Sequence, residues 1–228
     1  MWRYVFLLVF LIFSCGSEEL EPDPRSLGYL FYHLQVGDFV EYEVEETTYR
    51  LETPNLVTYQ KRTEVVDSFQ NQAGEITYIL HCFRRSSSNL EWEFEQTNSA
   101  RRTATQGIFI EGNTPLLKLS FPISAGKMWN GNALNTMDED LFEMDSLFSG
   151  YITQAQDTIP ETLTVIQEDN QDFIANLITN YEIYGLGIGM VYKEEIDVRY
   201  CTDDPCIGQQ IIDNGRIFRQ SIINYGKN

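Results

Sequence analysis

The sequence predicts one all-β domain over residues 29–228, laid out as an antiparallel meander on a curved sheet. Three observations predict it. Apolar and polar residues alternate with period two through several segments, the pattern of a strand with one wet face. Turn clusters recur at roughly ten-residue spacing, with no long helical period between them. Aromatics are plentiful, 13 Tyr and 14 Phe, and with Thr, Val and Ile they suit pleated, half-buried surfaces.

The elements follow in order. Tyr29 to Asp38 is apolar and ends in a Gly-Asp turn signal. In 39–48, Val40, Tyr42 and Val44 share one face and Glu41, Glu43 and Glu45 the other. Thr63, Val65 and Phe69 are expected to share a face before the 71–74 turn. Ile76, Tyr78, Leu80 and Cys82 form the next apolar row, and Leu90, Trp92 and Phe94 alternate with Glu91, Glu93 and Glu95. Residues 107–111 and 116–121 bracket the turn residues 111–115 as a hairpin. A loop-rich stretch surrounds Trp129, and 137–148 reads as either a short helix or a strand. Leu163–Gln167 and Phe173–Tyr184 read as strands, the second with a start that could be helical. Met190, Tyr192, Ile196, Val198 and Tyr200 alternate with Lys193, Glu195, Asp197 and Arg199. Cys201–Cys206 makes a tight loop, 213–215 a turn, and 216–224 a closing strand.

Ahead of the domain, Arg3 precedes an unbroken apolar run from Tyr4 to Phe13, the order of a secretory signal. Ten helical residues cover roughly 15 Å, half of a ~30 Å hydrocarbon core, so the run is too short to span a bilayer. It ends in Ile12-Phe13-Ser14-Cys15, which resembles the lipobox of bacterial lipoproteins. That resemblance implies a signal peptide over 1–14 and a diacylglycerol on Cys15; an ordinary secreted protein is the alternative. Residues 15–28 are acidic and carry two prolines, a composition that keeps a tether extended. Acids just after the lipidated cysteine resemble surface-export signals of Bacteroidetes-type lipoproteins; a solvated linker accounts for them equally well.

Charge excludes some partners. The formal charge is −18, and removing 1–14 takes away Arg3 and no acid, leaving −19. A nucleic-acid partner would need a basic patch, and an anionic lipid surface would repel the body of the protein. Any membrane attachment therefore falls to the lipid.

Three stretches, Leu34–Tyr42, Phe121–Asn132 and Tyr181–Glu194, together resemble a family of uncharacterised Bacteroidetes-type envelope lipoproteins, through VGxxxxY, FPxxxGxxWxGN and GxGxVYKE patterns. The resemblance implies a strongly curved antiparallel sheet or half-open β-barrel, and carries no catalytic residue to transfer.

Other constellations are weak. Cys201 and Cys206 in an exported chain predict a structural disulfide, and Cys82 reads as a small buried hydrophobe. His33 and His81 lack ligand-spaced partners, so neither zinc nor a Ser-His-Asp arrangement is predicted. Asp138, Glu139, Asp140, Glu143 and Asp145 lack EF-hand spacing and read as a solvated acidic segment. Gly185-Leu-Gly-Ile-Gly189 lacks phosphate-loop spacing and reads as a bulge or bend. No catalytic residue, metal site or cofactor is predicted. The expected role is binding, without catalysis, of a partner protein, glycan or apolar ligand in the concave face. A structural subunit of an outer-membrane complex is the alternative, and an acid-pair hydrolase ranks last.

Overall fold

The structure, a computed structural model, describes residues 23–228. The signal segment 1–14, the lipidation site Cys15 and the tether through residue 22 lie outside the described residues. Residues 23–28, the end of the segment read as tether, form a short helix, α1 (Pro24–Leu27). Asp23 caps it by accepting from the Arg25 N–H at 3.0 Å, and Pro24 occupies the first turn, where its missing N–H costs nothing. Arg25 then pairs with Glu161.

Twelve strands follow. The first six are β1 (Asp38–Arg50), β2 (Thr53–Gln70), β3 (Ile76–Arg85), β4 (Glu93–Arg102), β5 (Gln106–Glu111) and β6 (Thr114–Ser120). The second six are β7 (Lys127–Asn130), β8 (Leu141–Ile152), β9 (Thr158–Asp172), β10 (Asn176–Gly185), β11 (Gly189–Tyr200) and β12 (Ile212–Lys227). Every strand pairs antiparallel with its sequence neighbour, except that β6 and β7 are the two edges, and β1 pairs with β12 from Asp38↔Lys227 to Tyr49↔Gly215. The result is a nearly closed barrel whose one unsealed seam lies at the middle of the chain. Three bonds bridge it: Leu117 N–H to the Gly131 carbonyl at 2.8 Å, the Trp129 indole N–H to the Leu117 carbonyl at 2.9 Å, and the Asn135 amide to the Pro115 carbonyl at 2.9 Å.

Curvature comes from bulges, which bend a strand and raise its twist. They interrupt the register at Glu41/Tyr42, Val65/Asp67, Cys82/Phe83 and Ile183/Tyr184, among others. The bulge in β2 also overturns one expected face. Val65 is buried while Phe69 is exposed, because the extra residue reverses inside and outside between them. The row Leu90-Trp92-Phe94 is likewise not a buried strand face. Leu90 and Trp92 lie in the β3–β4 loop, and Phe94 packs edge-on against Phe83 and His81 while staying exposed. Residues 213–215 fall inside β12 rather than in a turn; the connection is the longer 201–211 loop. Gly215 has φ +134°, and a Cβ there would collide with the backbone of Asp197 and Val198, so a glycine mark read as a turn is a backbone crossing. The ambiguous 137–148 region is loop up to Asp140 and strand β8 from Leu141, and 127–130 around Trp129 is β7.

Simple up-and-down order puts alternate connections at opposite ends. The end that carries loops 103–105, 121–126 and 186–188 is closed by the N-terminal segment. A 3₁₀ turn, Tyr29–Phe31, seats Phe31 with no exposed surface and Tyr32 at 7%. Tyr29 donates its hydroxyl to the Ala104 carbonyl at 2.8 Å, Arg102 donates to the Tyr29 carbonyl at 2.9 Å, and Gly187 N–H donates to the Leu30 carbonyl at 2.8 Å. Gly107 makes room for this plug, since a Cβ there would meet the Tyr32 ring at 3.0 Å. Burying one Phe contributes roughly 1.5–3 kcal/mol, and here it also shuts one end of the lumen.

Candidate functional site

Inward-facing residues change character along the barrel. Near the plug they are apolar: Val65, Leu80, Ala100, Leu119, Met144, Leu163 and Val165 are buried around Phe31 and Tyr32. Farther along they are charged. Glu46 accepts from Arg216, which also bonds Glu195 at 2.9 Å; Glu195 pairs with Lys193 at 2.5 Å; and Lys118 donates to Glu182 at 2.6 Å. Lys118 lies on edge strand β6 and Glu182 on β10, so this pair ties the seam strand across the lumen.

Between the two zones lies a cavity of about 510 Å³, within the ~300–1,000 Å³ range of small-molecule sites. Its apolar wall includes Val65, Leu80, Phe109, Leu116 and Met190; its polar wall includes Lys61, Cys82, Asn98, Lys118, Glu182 and Lys193.

Glu182 is the most deeply buried charge, 1% exposed. Burial alone would raise its pKa. The Lys118 and Lys193 charges, with hydrogen bonds from Lys118 and from the Tyr184 hydroxyl at 2.5 Å, outweigh burial and hold it down at about 2. Tyr32, Tyr42 and Tyr184 surround this carboxylate, and burial foremost pushes their hydroxyls up, so they stay protonated donors.

Of three polar groups facing the cavity without a hydrogen bond, Asp38 Oδ2 has the His33 ring at 2.9 Å and two have no partner among the described residues. The Tyr32 hydroxyl is one; the other is the Asn98 carbonyl oxygen, on a side chain only 5% exposed. The Asn98 amide nitrogen donates to the Cys82 sulfur at 3.5 Å. Buried polar atoms left unpaired cost about 1–3 kcal/mol each, so an otherwise well-bonded lumen that keeps two of them marks a place where a ligand completes the set.

The residues singled out in the sequence scatter. Cys201 and Cys206 are bonded, Cα atoms 5.8 Å apart, in the β11–β12 loop remote from the cavity. Cys82 is half-buried rather than a core hydrophobe; it lines the cavity, with burial chiefly raising its pKa. His33 contacts Asp38 at 2.9 Å near the plug, and His81 stacks with Phe83 and Phe94 on the other face of β3 from Cys82. Gly185–Gly189 is the β10–β11 turn beside the plug. Asp140 has its pKa raised by burial but does not line the cavity. Among the described residues, no group of three or more His, Cys, Asp or Glu is placed to hold a metal ion.

Sequence reading missed the lumenal cations. Lys193 and Glu195 were placed on the polar face of β11, which is correct, but that face points inward. The available signal was a cation set two positions after an aromatic or apolar residue, Tyr59 before Lys61 and Leu116 before Lys118.

No family model matches this chain, and no curated protein matches it. Two solved structures are similar in fold. One is a protein from Bacteroides fragilis NCTC 9343 described as exported, with a YmcC-like fold: TM-score 0.45, 11% identity, covering 87% of this chain and 99% of that one. The other is from Parabacteroides distasonis ATCC 8503 and is described as a lipoprotein: TM-score 0.41, 9% identity, covering 86% of this chain and 98% of that one.

Proposed function

We propose that this chain is a lipid-anchored protein of the bacterial cell envelope whose barrel binds a small ligand with an apolar body, without chemistry on it. The observation that carries the binding role is the lumen: a cavity of about 510 Å³ in which an apolar wall meets two buried, unpartnered polar groups. Among the described residues, the lumenal carboxylate with a large shift, Glu182, is held low, the reverse of what a general acid needs. The anchor rests on the Arg3–Cys15 pattern.

Binding is tested with N-phenylnaphthylamine, a neutral apolar fluorophore, titrated into the full chain. Saturation at one probe per chain supports the reading, as does its loss in Ala100→Phe, which fills the lumen at a residue 1% exposed. Absence of saturable binding, or unchanged binding by a folded Ala100→Phe, refutes it. The anchor is tested by intact mass and membrane fractionation beside Cys15→Ala. Acyl mass on the native chain, and release or failed cleavage of the variant, is the expected result.

A second reading, an accessory subunit of an outer-membrane complex, is favoured by the exposed apolar tips at the end opposite the plug. Leu51, Leu90, Phe173, Ile174 and Ile207 all stand in connections there. Leu51→Asp with Phe173→Asp separates the two: it leaves probe binding intact and removes the subunit's seat.

A further inference from the structure

Charge is distributed unevenly between the surface and the lumen. The chain contains five lysines, and four of them, Lys61, Lys118, Lys193 and Lys227, line one cavity, joined by Arg62. Facing them are four acids, Asp38, Glu95, Glu111 and Glu182. In a chain with 34 acids against 16 basic residues, four lysines on one wall are a concentration of positive charge, although Arg62 is already bonded to Glu41 and Glu64. An internal wall of that sign, against apolar surroundings of low dielectric, attracts an anion more strongly than an exposed patch of the same size.

The cations are not equally occupied. Lys118 is bonded to Glu182 at 2.6 Å and Lys193 to Glu195 at 2.5 Å. Among the described residues Lys61 has only Glu95, at 3.8 Å, too long for a hydrogen bond. An ammonium carries three donors, so Lys61 retains donors for a ligand. Beside it along the lumen, Cys82 joins Thr63 of β2 to Asn98 of β4. Whichever way the Asn98 amide lies, the sulfur takes one end and the other faces the cavity unpartnered. Turned over, it presents its NH₂ to the lumen and its oxygen to the protonated thiol. The unpartnered Tyr32 hydroxyl supplies one more donor. Among the four carboxylates, Glu182 has Lys118 and Tyr184, Glu111 has the Gln96 amide at 3.1 Å, Asp38 has the His33 ring at 2.9 Å, and Glu95 has Lys61 alone at 3.8 Å. The Lys61 ammonium, the Asn98 amide so turned and the Tyr32 hydroxyl thus present donors to this wall, which suits an anion.

We propose that the occupant is a single-chain amphiphile with an anionic head, a carboxylate or a phosphate monoester. Its head sits on Lys61, Asn98 and Tyr32, and its chain lies along Val65, Leu80, Phe109, Leu116 and Met190. This rests on the ligand-binding reading above. Burying an anion in an apolar cavity is unfavourable unless it is paired and hydrogen-bonded, and these three side chains supply both. No bond is made or broken.

The test uses three matched eight-carbon probes on the full chain: octanoate, octyl phosphate and octanol. Occupancy is read by displacement of the neutral naphthylamine and by protection of Cys82 from maleimide alkylation, located by peptide mass. Octanoate or octyl phosphate, or both, should half-saturate at least tenfold below octanol; which of the two wins names the head. Lys61→Met should erase that advantage while leaving octanol binding intact, and Lys61→Arg should keep most of it. Equal binding of all three probes, or an anion advantage that survives in Lys61→Met, overturns the anionic head and leaves the ligand-binding reading standing. Failure of all three and of the naphthylamine overturns the ligand-binding reading itself.

Discussion

Replacing Lys118 by methionine isolates the ion pair that ties the seam strand to the opposite wall. In the native protein Glu182 is depressed from 4.5 to about 2. At ~1.4 kcal/mol per unit, the difference corresponds to about 3 kcal/mol of stability. The sign follows from the direction. A carboxyl held low when folded contributes fully above its unfolded value of 4.5, and loses that contribution as pH falls from 4.5 through about 2. Lys118→Met keeps the chain's bulk but removes the nearest cation, leaving Lys193 alone against burial. Removing one partner of a buried pair costs about 3–5 kcal/mol, or a drop in Tm of roughly 10 °C for a domain of this size. Unfolding of both proteins by guanidinium at pH 7, 5 and 3, followed by tryptophan fluorescence, measures the gap. The gap should be widest at pH 7 and narrow by pH 3, as Glu182 protonates in the unfolded chain and in the variant while staying ionised in the folded native protein. Lys118→Met with Glu182→Leu should recover most of the loss, because apolar residues of similar volume replace such pairs well. A gap below ~1 kcal/mol, or one that does not change with pH, refutes the argument.

Other outcomes are expected from single contacts. Gly215→Ala should cost roughly 1–3 kcal/mol or more, read as a lower guanidinium midpoint, since φ +134° is closed to alanine and Val198 Cα lies 2.6 Å from the new Cβ. Trp129→Phe removes the indole donor to the Leu117 carbonyl, a bond of 2.9 Å, at about 1 kcal/mol. Amide exchange should then speed up in β6 and β7 before any other strand. Cys201→Ser with Cys206→Ser opens a loop of sequence separation 5, for which chain entropy predicts about 2 kcal/mol. The variant's melt should fall and become insensitive to reductant, with probe binding unchanged.

The period-two rows were legible because one face of each strand meets an apolar interior, and burial of Tyr42, Val44 and Leu80 is local in cause. The 107–121 hairpin and the short cysteine loop were legible for the same reason, since turn chemistry is set by adjacent residues. Phe69 was misplaced because a bulge is a property of a strand pair: nothing within β2 alone says that the residue beside Val65 is extra. The turn expected at 213–215 failed similarly. A glycine required by a neighbouring backbone looks, in one dimension, like a glycine required by a bend.

By itself, then, the sequence determined an all-β meander, its strand rhythm, its acidic surface and the pairing of Cys201 with Cys206. Only the tertiary structure decided which side of each polar alternation is inside. Closing β1 onto β12 brings Lys61, Lys118 and Lys193, residues from distant strands, onto one cavity, and sets Lys118 and Lys193 against Glu182. Barrel closure makes a second, polar interior that no single strand encodes, because convergence of side chains depends on strand tilt and bulges summed around the whole sheet.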